Sequence, residues 1–215
     1  MKIVLFGATG NVGQRVVHEA LERGHEVVAV VRDPSRSEAP DPRVRLVQGD
    51  ATDAASVASV ARGADAVVSA ISPRPGTTGT APSLVDAAHA LIAGVRQAGV
   101  KRLVVVGGAG SLEVAPGVML LDAPGFPEAY KAEAVAGRDS LAVYRAEADG
   151  LDWTFLSPAA EIHPGERTGR YRTTIDQFLT NEQGHSTITF EDYAVALVDE
   201  LERPQHVGRR FGVAY

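Results

Sequence analysis

Short apolar runs alternate along the chain with longer segments in which apolar residues recur at helical spacing. The strand-like runs are residues 2–6, 26–32, 44–48, 66–70, 102–107 and 152–157. Most of them are continuously apolar instead of alternating, which is typical of parallel strands covered on both faces. The pattern therefore predicts a sheet of at least six parallel strands.

Five segments have the periodicity of helices. The first carries apolar residues from Val12 to Leu21 and is expected to end with Gly24 at the C′ position; the others are residues 53–62, 82–97, 127–148 and 191–202. Thr189 should cap the last helix, with Asp192 completing an approximate capping box. Strand–helix alternation with right-handed crossovers predicts an α/β fold, a doubly wound parallel sheet (Rossmann fold) in three αβα layers, as one domain spanning residues 1–215.

Composition narrows the classes of function. The 215 residues carry 21 Lys+Arg against 27 Asp+Glu, a net charge of −6, and contain no Cys. A mildly acidic chain without a basic run is a poor candidate for binding nucleic acid or an anionic membrane. The longest stretch without a charged residue, 3–14, is too short to span a bilayer, which takes about 20 residues. We expect a cytoplasmic protein without disulfides or thiolate metal sites.

A glycine-rich turn follows the first strand and opens the first helix. Its sequence is Gly7-Ala8-Thr9-Gly10-Asn11-Val12-Gly13. Gly7 permits a tight turn, Gly10 lets the backbone approach a pyrophosphate, and Gly13 allows close packing of helix on strand. The helix N-terminus adds amide donors and a favourable dipole. The turn predicts a dinucleotide site contributed by residues Gly7 and Thr9 through Gly13.

The ends of the second and third strands bear on the identity of the dinucleotide. Arg32, Ser35 and Arg36 form a donor cluster suited to a ribose 2′-phosphate, which favours NADPH over NADH. Asp33 argues the other way, since a carboxylate could hold a ribose diol. Asp50, followed by Ala51, could accept from the adenine amino group or could equally form an Asx turn before the next helix.

The remaining predicted site lies at the carboxyl ends of strands four to six, where open α/β sheets bind ligands. Three long loops, residues 72–81, 108–125 and 158–169, would form the walls of an acceptor pocket. Small residues there would let the coenzyme and a flat acceptor lie close to the backbone. We assign to coenzyme binding the small residues Ala70, Gly108, Ser157, Pro158 and Ala159, together with Ile71.

The sequence resembles the atypical short-chain dehydrogenase/reductases. The resemblance rests on the glycine turn, on Val30-Val31-Arg32-Asp33-Pro34-Ser35-Arg36, and on Gly49-Asp50-Ala51-Thr52-Asp53. The segments 106–112, 152–158 and 186–194 are similar to those of NAD(P)H:flavin reductases related to biliverdin-IXβ reductase. The resemblance implies an NAD(P)H-dependent oxidoreductase, and Arg32 with its neighbours favours NADPH. The expected acceptor is a flavin, as a substrate and not as a bound prosthetic group, or another flat conjugated molecule such as a quinone or a linear tetrapyrrole.

The Tyr-x-x-x-Lys pair with which related enzymes reduce ketones is absent, since no tyrosine is followed by lysine at the fourth position. Flavin reduction tolerates that absence, because the reduced flavin can hold its charge or take a proton from water. Ser111 and Tyr130 are the candidate acceptor-side residues. Ser111 could equally be a turn serine and Tyr130 a packing residue. Lys131 is more often solvated, and His163 is the only histidine expected near the site.

Other functions remain open on the residues alone. One is a non-catalytic NAD(P)-sensing regulator of the NmrA type, which shares the fold start and also lacks the pair. Another is an NAD-dependent epimerase or isomerase, which would need an acid/base group such as the missing tyrosine. No metal site is expected. The expected partner is a small-molecule acceptor, with the protein acting as a monomer or a small homo-oligomer.

Overall fold

A computed structural model of the chain describes residues 1–72 and 83–215. Its helices are α1 (Asn11–Glu22), α2 (Ala54–Ala61), α3 (Leu84–Ala98), α4 (Glu128–Glu147) and α5 (Phe190–Glu202). Its strands are β1 (Lys2–Phe6), β2 (Glu26–Val31), β3 (Arg45–Gln48), β4 (Ala66–Ser69), β5 (Arg102–Val106), β6 (Glu113–Ala115), β7 (Val118–Met119), β8 (Asp152–Ser157), β9 (Glu161–His163), β10 (Arg172–Thr174), β11 (Thr187–Thr189) and β12 (Arg209–Ala214).

Eight strands form the central sheet in the order β10-β12-β8-β5-β4-β1-β2-β3. All neighbouring pairs are parallel except β10 and β12, which are antiparallel. The chain builds outward from β1 to β3, then returns to β4 on the other side of β1. This reversal leaves a crevice at the carboxyl ends of β1 and β4, the place where open α/β sheets bind ligands.

Both faces of the sheet are covered, and strand alternation divides the core between them. Ile3 and Leu5 pack with helices α1 and α5 in one buried cluster. Val4 and Phe6, one position along, pack with α2 and α3 in a second cluster, which also includes residues of α4. Double burial explains why the central strands are continuously apolar, and it confirms the doubly wound, three-layer α/β fold.

The predicted elements are found within one or two residues at most ends. The six predicted strands correspond to β1–β5 and β8, and β2 ends at Val31, so Arg32 lies just beyond it. Gly24 follows α1 with φ +79°, as expected of a C′ glycine. Thr189 caps α5, since its hydroxyl accepts from the backbone N–H of Asp192.

The capping box predicted at Asp192 is wrong. Its carboxylate turns away from the helix start and accepts from the backbone N–H groups of Thr168 and Gly169 and from the hydroxyls of Thr168 and Tyr215. The N–H of Thr189 instead donates to the Tyr215 hydroxyl at 3.3 Å. Asp192 thereby ties the segment after β8 to α5.

The sequence pattern missed one parallel strand, β12, and the short strands within the loops. β12 begins with two arginines and contains Gly212, so it lacks a continuous apolar run, yet it completes the sheet beside β8. The predicted loop 108–125 holds the β6–β7 hairpin, and the loop 158–169 holds β9, which pairs with β11. Except for Ser72, the predicted loop 72–81 lies outside the described residues.

Candidate functional site

The glycine turn after β1 is packed against the end of β4. Gly7 has φ +81°, and a Cβ built on it would lie 2.4 Å from the carbonyl oxygen of Ala70. A Cβ on Gly13 would lie 2.1 Å from the carbonyl oxygen of Gly7. Both positions therefore require glycine for the fold itself. The turn and α1 can approach each other only because these side chains are missing.

Gly10 is different, because the fold leaves room for a side chain there. Its backbone has φ −77°, and apart from chain neighbours the only described atom within 4 Å of a built Cβ is the Gly7 carbonyl oxygen, at 3.4 Å. Thr9, Gly10 and Asn11 are exposed at the crevice. A glycine that the fold does not need leaves the space that a phosphate needs to reach the backbone.

The N-terminus of α1 presents its amides without internal compensation. Gly10 is the N-cap, and no side chain of the described residues caps the helix. The first turn, from Asn11 to Gln14, contains no acid. The first backbone N–H groups of a helix have no intrahelical partner, and the helix dipole adds to their positive field. These residues fit a pyrophosphate, and Val12 meanwhile packs against the core.

At the end of β2, an aspartate organises the residues predicted to meet a ribose phosphate. Oδ1 of Asp33 accepts from the backbone N–H of Ser35 at 3.0 Å and from its hydroxyl at 2.6 Å. These hydrogen bonds, with the charge of Arg36, hold the pKa of Asp33 below its ordinary value. Arg32, Ser35 and Arg36 are exposed, and the charge of Arg36 acts on the carboxylate of Asp33.

The residues after β3 and β4 lie along the same edge of the sheet. Oδ1 of Asp50 accepts from the backbone N–H and the hydroxyl of Thr52, which is the Asx turn weighed above; Asp53 is the N-cap of α2. Ala51 is buried in the core. Ala70 and Ile71 are half-buried, and Ala70 contacts the glycine turn directly. The adenine contact assigned to Asp50 stays a prediction.

The ends of β5 and β8 form the next part of this edge. The backbone N–H of Gly107 donates to the carbonyl oxygen of Leu156 at 2.8 Å, so the two ends are held side by side. A Cβ built on Gly108 would have no described heavy atom within 4 Å beyond its chain neighbours. Gly108 thus borders open space. Ser157, the last residue of β8, is buried, and so are Pro158 and Ala159, which follow it.

Ser157 has an unusual hydroxyl. It is buried and has no hydrogen-bond partner among the residues that the structure describes. Burying a hydroxyl without a partner costs free energy, so Ser157 stays a candidate for contact with the coenzyme. Strand alternation puts Ser157 on the same face as Phe155, the side of α4.

The candidate acceptor-side residues differ in burial and in their partners. Ser111 is buried, and its hydroxyl accepts from Nη1 of Arg210 at 3.0 Å. Tyr130 is 54% exposed in the first turn of α4. Lys131 donates to the carbonyl oxygen of Leu121, which ties α4 to the preceding turn. His163 lies on β9, where its Nδ1 is 3.0 Å from the carbonyl oxygen of Pro164.

The other tyrosines are committed elsewhere, which matters for proton chemistry. Burial raises the pKa of Tyr144 and of Tyr193, whose hydroxyl donates to the Leu156 carbonyl oxygen. Burial and an aspartate partner raise the pKa of Tyr171 and of Tyr215 as well. A tyrosine that protonates an alkoxide needs a lowered pKa. None of these four fulfils that condition.

We also searched the described residues for metal-binding groups and for membrane-spanning helices. Across residues 1–72 and 83–215, no group of three or more His, Cys, Asp or Glu side chains is arranged to hold a metal ion. No helix within the same two ranges is both long and apolar enough to cross a membrane.

Arg210 and Asp176 were missed in the sequence. Arg210 is buried on β12 and bonds both Ser111 and Asp176, which lies just after β10. An arginine directly before the apolar residues of the final strand was the available signal, but the partners of Arg210 lie 34 and 99 residues away along the chain.

The crevice, the glycine turn and the uncapped α1 define a dinucleotide-binding α/β protein. Comparison with known proteins agrees: the profile of a family described as NAD(P)H-binding matches residues 7–204. The chain belongs to this NAD(P)H-binding family, and its fold is that of the atypical short-chain dehydrogenase/reductases.

Relatives match along the whole chain. The uncharacterized protein YwnB of Bacillus subtilis (strain 168) is 41% identical over 216 residues, covering 99% of this chain and 98% of the relative. A solved structure from Streptococcus pneumoniae, called a "putative NADH-flavin reductase", is 37% identical with TM-score 0.84, covering 100% and 99% of the two chains. One from Bacteroides thetaiotaomicron, called a "putative epimerase", is 41% identical with TM-score 0.88, covering 100% and 96%.

Proposed function

We propose that this protein is an NADPH-dependent oxidoreductase that transfers a hydride to a flavin or a similarly flat conjugated acceptor, such as a quinone or a tetrapyrrole. The observation that carries the proposal is that small residues, Gly108, Pro158 and Ala159, follow the ends of β5 and β8, while burial raises the pKa of Tyr144 and of Tyr193, which pack beside these strands. Such a site can bring two rings together but is poorly equipped to protonate an alkoxide.

Each part of the chain has a defined task in this proposal. The amides at the start of α1 hold the pyrophosphate, with Gly10 leaving the space for it. Arg32, with Ser35 and Arg36, selects the 2′-phosphate, and Asp33 is engaged in shaping that turn, which weakens it as a ribose ligand. Bound NADPH supplies the hydride. The ends of β4, β5 and β8 align the rings and keep water out.

The name of one relative agrees with part of this proposal. The Streptococcus pneumoniae protein is called an NADH-flavin reductase, which agrees with the acceptor class but gives the other coenzyme. The preference for NADPH therefore rests on Arg32 and its neighbours. With a net charge of −6, a small-molecule acceptor is favoured over nucleic acid or an anionic membrane. We further propose a cytoplasmic monomer or small homo-oligomer.

The deciding experiment is anaerobic oxidation of NADPH with FMN, FAD and riboflavin. An enzyme-free reaction is essential, because flavins are reduced slowly without protein. Gly10→Asp should abolish turnover by placing a carboxylate where the phosphate binds. Gln97→Glu adds the same charge at an exposed position at the far end of α3 and should leave turnover unchanged.

The outcomes separate the alternatives. Saturable turnover above the enzyme-free rate, lost only in Gly10→Asp, would establish a flavin reductase. Tight NADPH binding without turnover on any acceptor would contradict the proposal and favour a sensor. The Bacteroides thetaiotaomicron relative's name favours an epimerase as second candidate, and coenzyme retained through purification would point to it.

A further inference from the structure

Arg210 is a buried arginine that touches none of the residues assigned to the coenzyme phosphates. It pairs with Phe155 in the register of β12 and β8, and only 3% of it is exposed. Phe211 and Val213, beside it on the strand, pack in the core with α1 and α5. Alternation therefore turns Arg210 to the opposite face, the side of α4. A buried guanidinium is costly unless its donors are paired, so its partners indicate its role.

Those partners come from two distant segments. Nη1 of Arg210 donates to the carbonyl oxygen of Ser111 at 2.7 Å and to its hydroxyl at 3.0 Å. Nε donates to Oδ1 of Asp176 at 3.0 Å, and Nη2 donates to the same oxygen. Arg145 of α4 also donates to this oxygen, at 3.0 Å. Asp176 thus fixes the plane of the guanidinium and directs its free edge at Ser111.

The charge of Asp176 is secured by its surroundings. Burial alone would raise the pKa of this carboxyl group, but the hydrogen bonds and charges of Arg210 and Arg145 outweigh burial and lower it. The backbone of Asp176 is also held, since its carbonyl oxygen accepts from the N–H of Glu113 at 2.8 Å. Asp176 therefore offers Arg210 a fixed, ionised partner.

Ser111 belongs to the β5 loop, residues 107–112, which links the end of β5 to β6. The loop contains Gly107, Gly108 and Gly110, so it has large conformational freedom to lose on ordering. Its near end is held to β8 by the Gly107–Leu156 hydrogen bond, and the N–H of Leu121 donates to the Gly110 carbonyl oxygen at 2.8 Å. Arg210 holds the far end at Ser111.

We propose that Arg210, oriented by Asp176, is a positioning residue: it fixes Ser111 and thereby the open face at Gly108 against which the nicotinamide and the acceptor would stack. The consequence for turnover rests on the proposed function, whereas the fixing of the β5 loop does not. Misplacing reacting groups by about 1 Å can cost about 100-fold in rate. Binding should change little, because the phosphates are assigned to α1 and β2.

The test compares two buried arginines at different levels along the strands: Arg210 is level with Val105, near the end of β5, and Arg102 is at the start of β5. Arg210→Met removes the contacts to Ser111 and leaves Asp176 paired with Arg145. Arg102→Met is the matched control, since Arg102 is 8% exposed, pairs with Glu200, and begins β5 at the edge away from the crevice. The measurements are the free energy of unfolding, the Kd for NADPH, the emission of bound NADPH, kcat with FMN, and hydrogen exchange of residues 107–112.

For Arg210→Met we expect kcat to fall at least about tenfold, with the Kd for NADPH within about threefold of the wild type. The emission of bound NADPH should change, and amides of the β5 loop should exchange faster. Arg102→Met should lose stability without either of these two changes and without a fall in kcat. Folded Arg210→Met with unchanged kcat, emission and exchange would overturn the inference.

Two further outcomes are decided by the same design. If the wild type binds NADPH but reduces no flavin, the proposed function fails, and emission and exchange decide the role of Arg210 on their own. If Arg210→Met does not fold, Ser111→Ala removes only the hydroxyl contact. It should then show the same changes in smaller measure, and their absence would contradict the inference.

Discussion

Individual glycines in the turn after β1 do different work, although the sequence pattern treats them alike. Gly7 and Gly13 are demanded by contacts with backbone atoms of the protein itself, at 2.4 and 2.1 Å from a built Cβ. Gly10 meets only one described atom, at 3.4 Å. The structure therefore separates the two glycines that the turn needs in order to fold from Gly10, which packing within the protein does not require.

Gly13→Ala and Gly10→Ala should therefore change different properties. The first should lower the stability of the protein, and the second should weaken its binding of NADPH. Gly13→Ala forces a methyl group into the Gly7 carbonyl oxygen and should lower the free energy of unfolding by about 2 kcal/mol or more. Gly10→Ala should leave it within about 0.5 kcal/mol and weaken NADPH binding about tenfold. Urea denaturation and fluorescence titration check both. Equal destabilisation by the two variants would contradict the distinction.

In the proposed function, Arg32 accounts for the preference for NADPH over NADH. A charge-assisted hydrogen bond to phosphate is worth about 1.5–3 kcal/mol, so Arg32→Ala should weaken NADPH about 10- to 100-fold. NADH, which lacks the 2′-phosphate, should bind within about threefold of the wild type. Arg45→Ala, at another exposed arginine on the edge strand β3, serves as control. Unchanged selectivity in Arg32→Ala would remove the argument for NADPH.

Elements outside the crevice are joined by the hydroxyl and carboxylate groups at the start of α5. Thr189 caps the helix and also bonds the Glu166 carbonyl oxygen at 3.2 Å and the Tyr215 hydroxyl at 2.8 Å. Asp192 anchors the segment after β8 through Thr168 and Gly169. The loop predicted as a wall of the acceptor pocket is therefore fastened at this point to the α1/α5 face.

Thr189→Ala tests this junction. Loss of an N-cap costs about 1 kcal/mol, and the two added hydrogen bonds should bring the loss in the free energy of unfolding to about 2 kcal/mol. Thr189→Ser keeps the hydroxyl and should recover most of the loss. The measurement is thermal or urea unfolding of the three proteins. If the Ala and Ser variants lose the same amount of stability, the loss comes from the methyl group of Thr189 and not from its capping hydroxyl.

On the scale of the whole molecule, carboxylates with lowered pKa join α1, α5 and the loop after β9 on one face of the sheet. Hydrogen bonds from Arg167 lower the pKa of Glu19 from 4.5; burial opposes this, and Arg23 adds to it. Arg23 also pairs with Asp199 of α5, whose pKa is lowered because its partners outweigh burial. A depressed folded-state pKa adds stability that is present above the unfolded value and is lost as the pH falls.

The free energy of unfolding should therefore fall steadily as the pH is lowered below about 4.5, the ordinary value for glutamate. Glu19→Gln should lower it by about 2–3 kcal/mol at pH 7, because two arginines lose their buried partner, and should flatten its decline in acid. Glu22→Gln, on the exposed side of the same helix, is the control. Urea unfolding between pH 7 and 3 measures both. An unchanged acid slope in Glu19→Gln would contradict the assignment.

The sequence by itself determined the parallel core, the five helices and the glycine turn. These depend on local patterns: continuous apolar runs, helical periodicity, and glycines at fixed spacing between a strand and a helix. The resemblance to NAD(P)H:flavin reductases followed from the same segments. Such features can be predicted from the sequence because they depend on residues that are close to one another along the chain.

Only the tertiary structure decided the rest. It placed β12 in the sheet despite two arginines, turned Asp192 from the helix start to a distant loop, and paired Ser111 with Arg210 across 99 residues. It also showed that Gly10 is free of the packing that fixes Gly7 and Gly13. Each of these depends on which polar groups meet after burial, and distant partners leave no periodic signal in the chain.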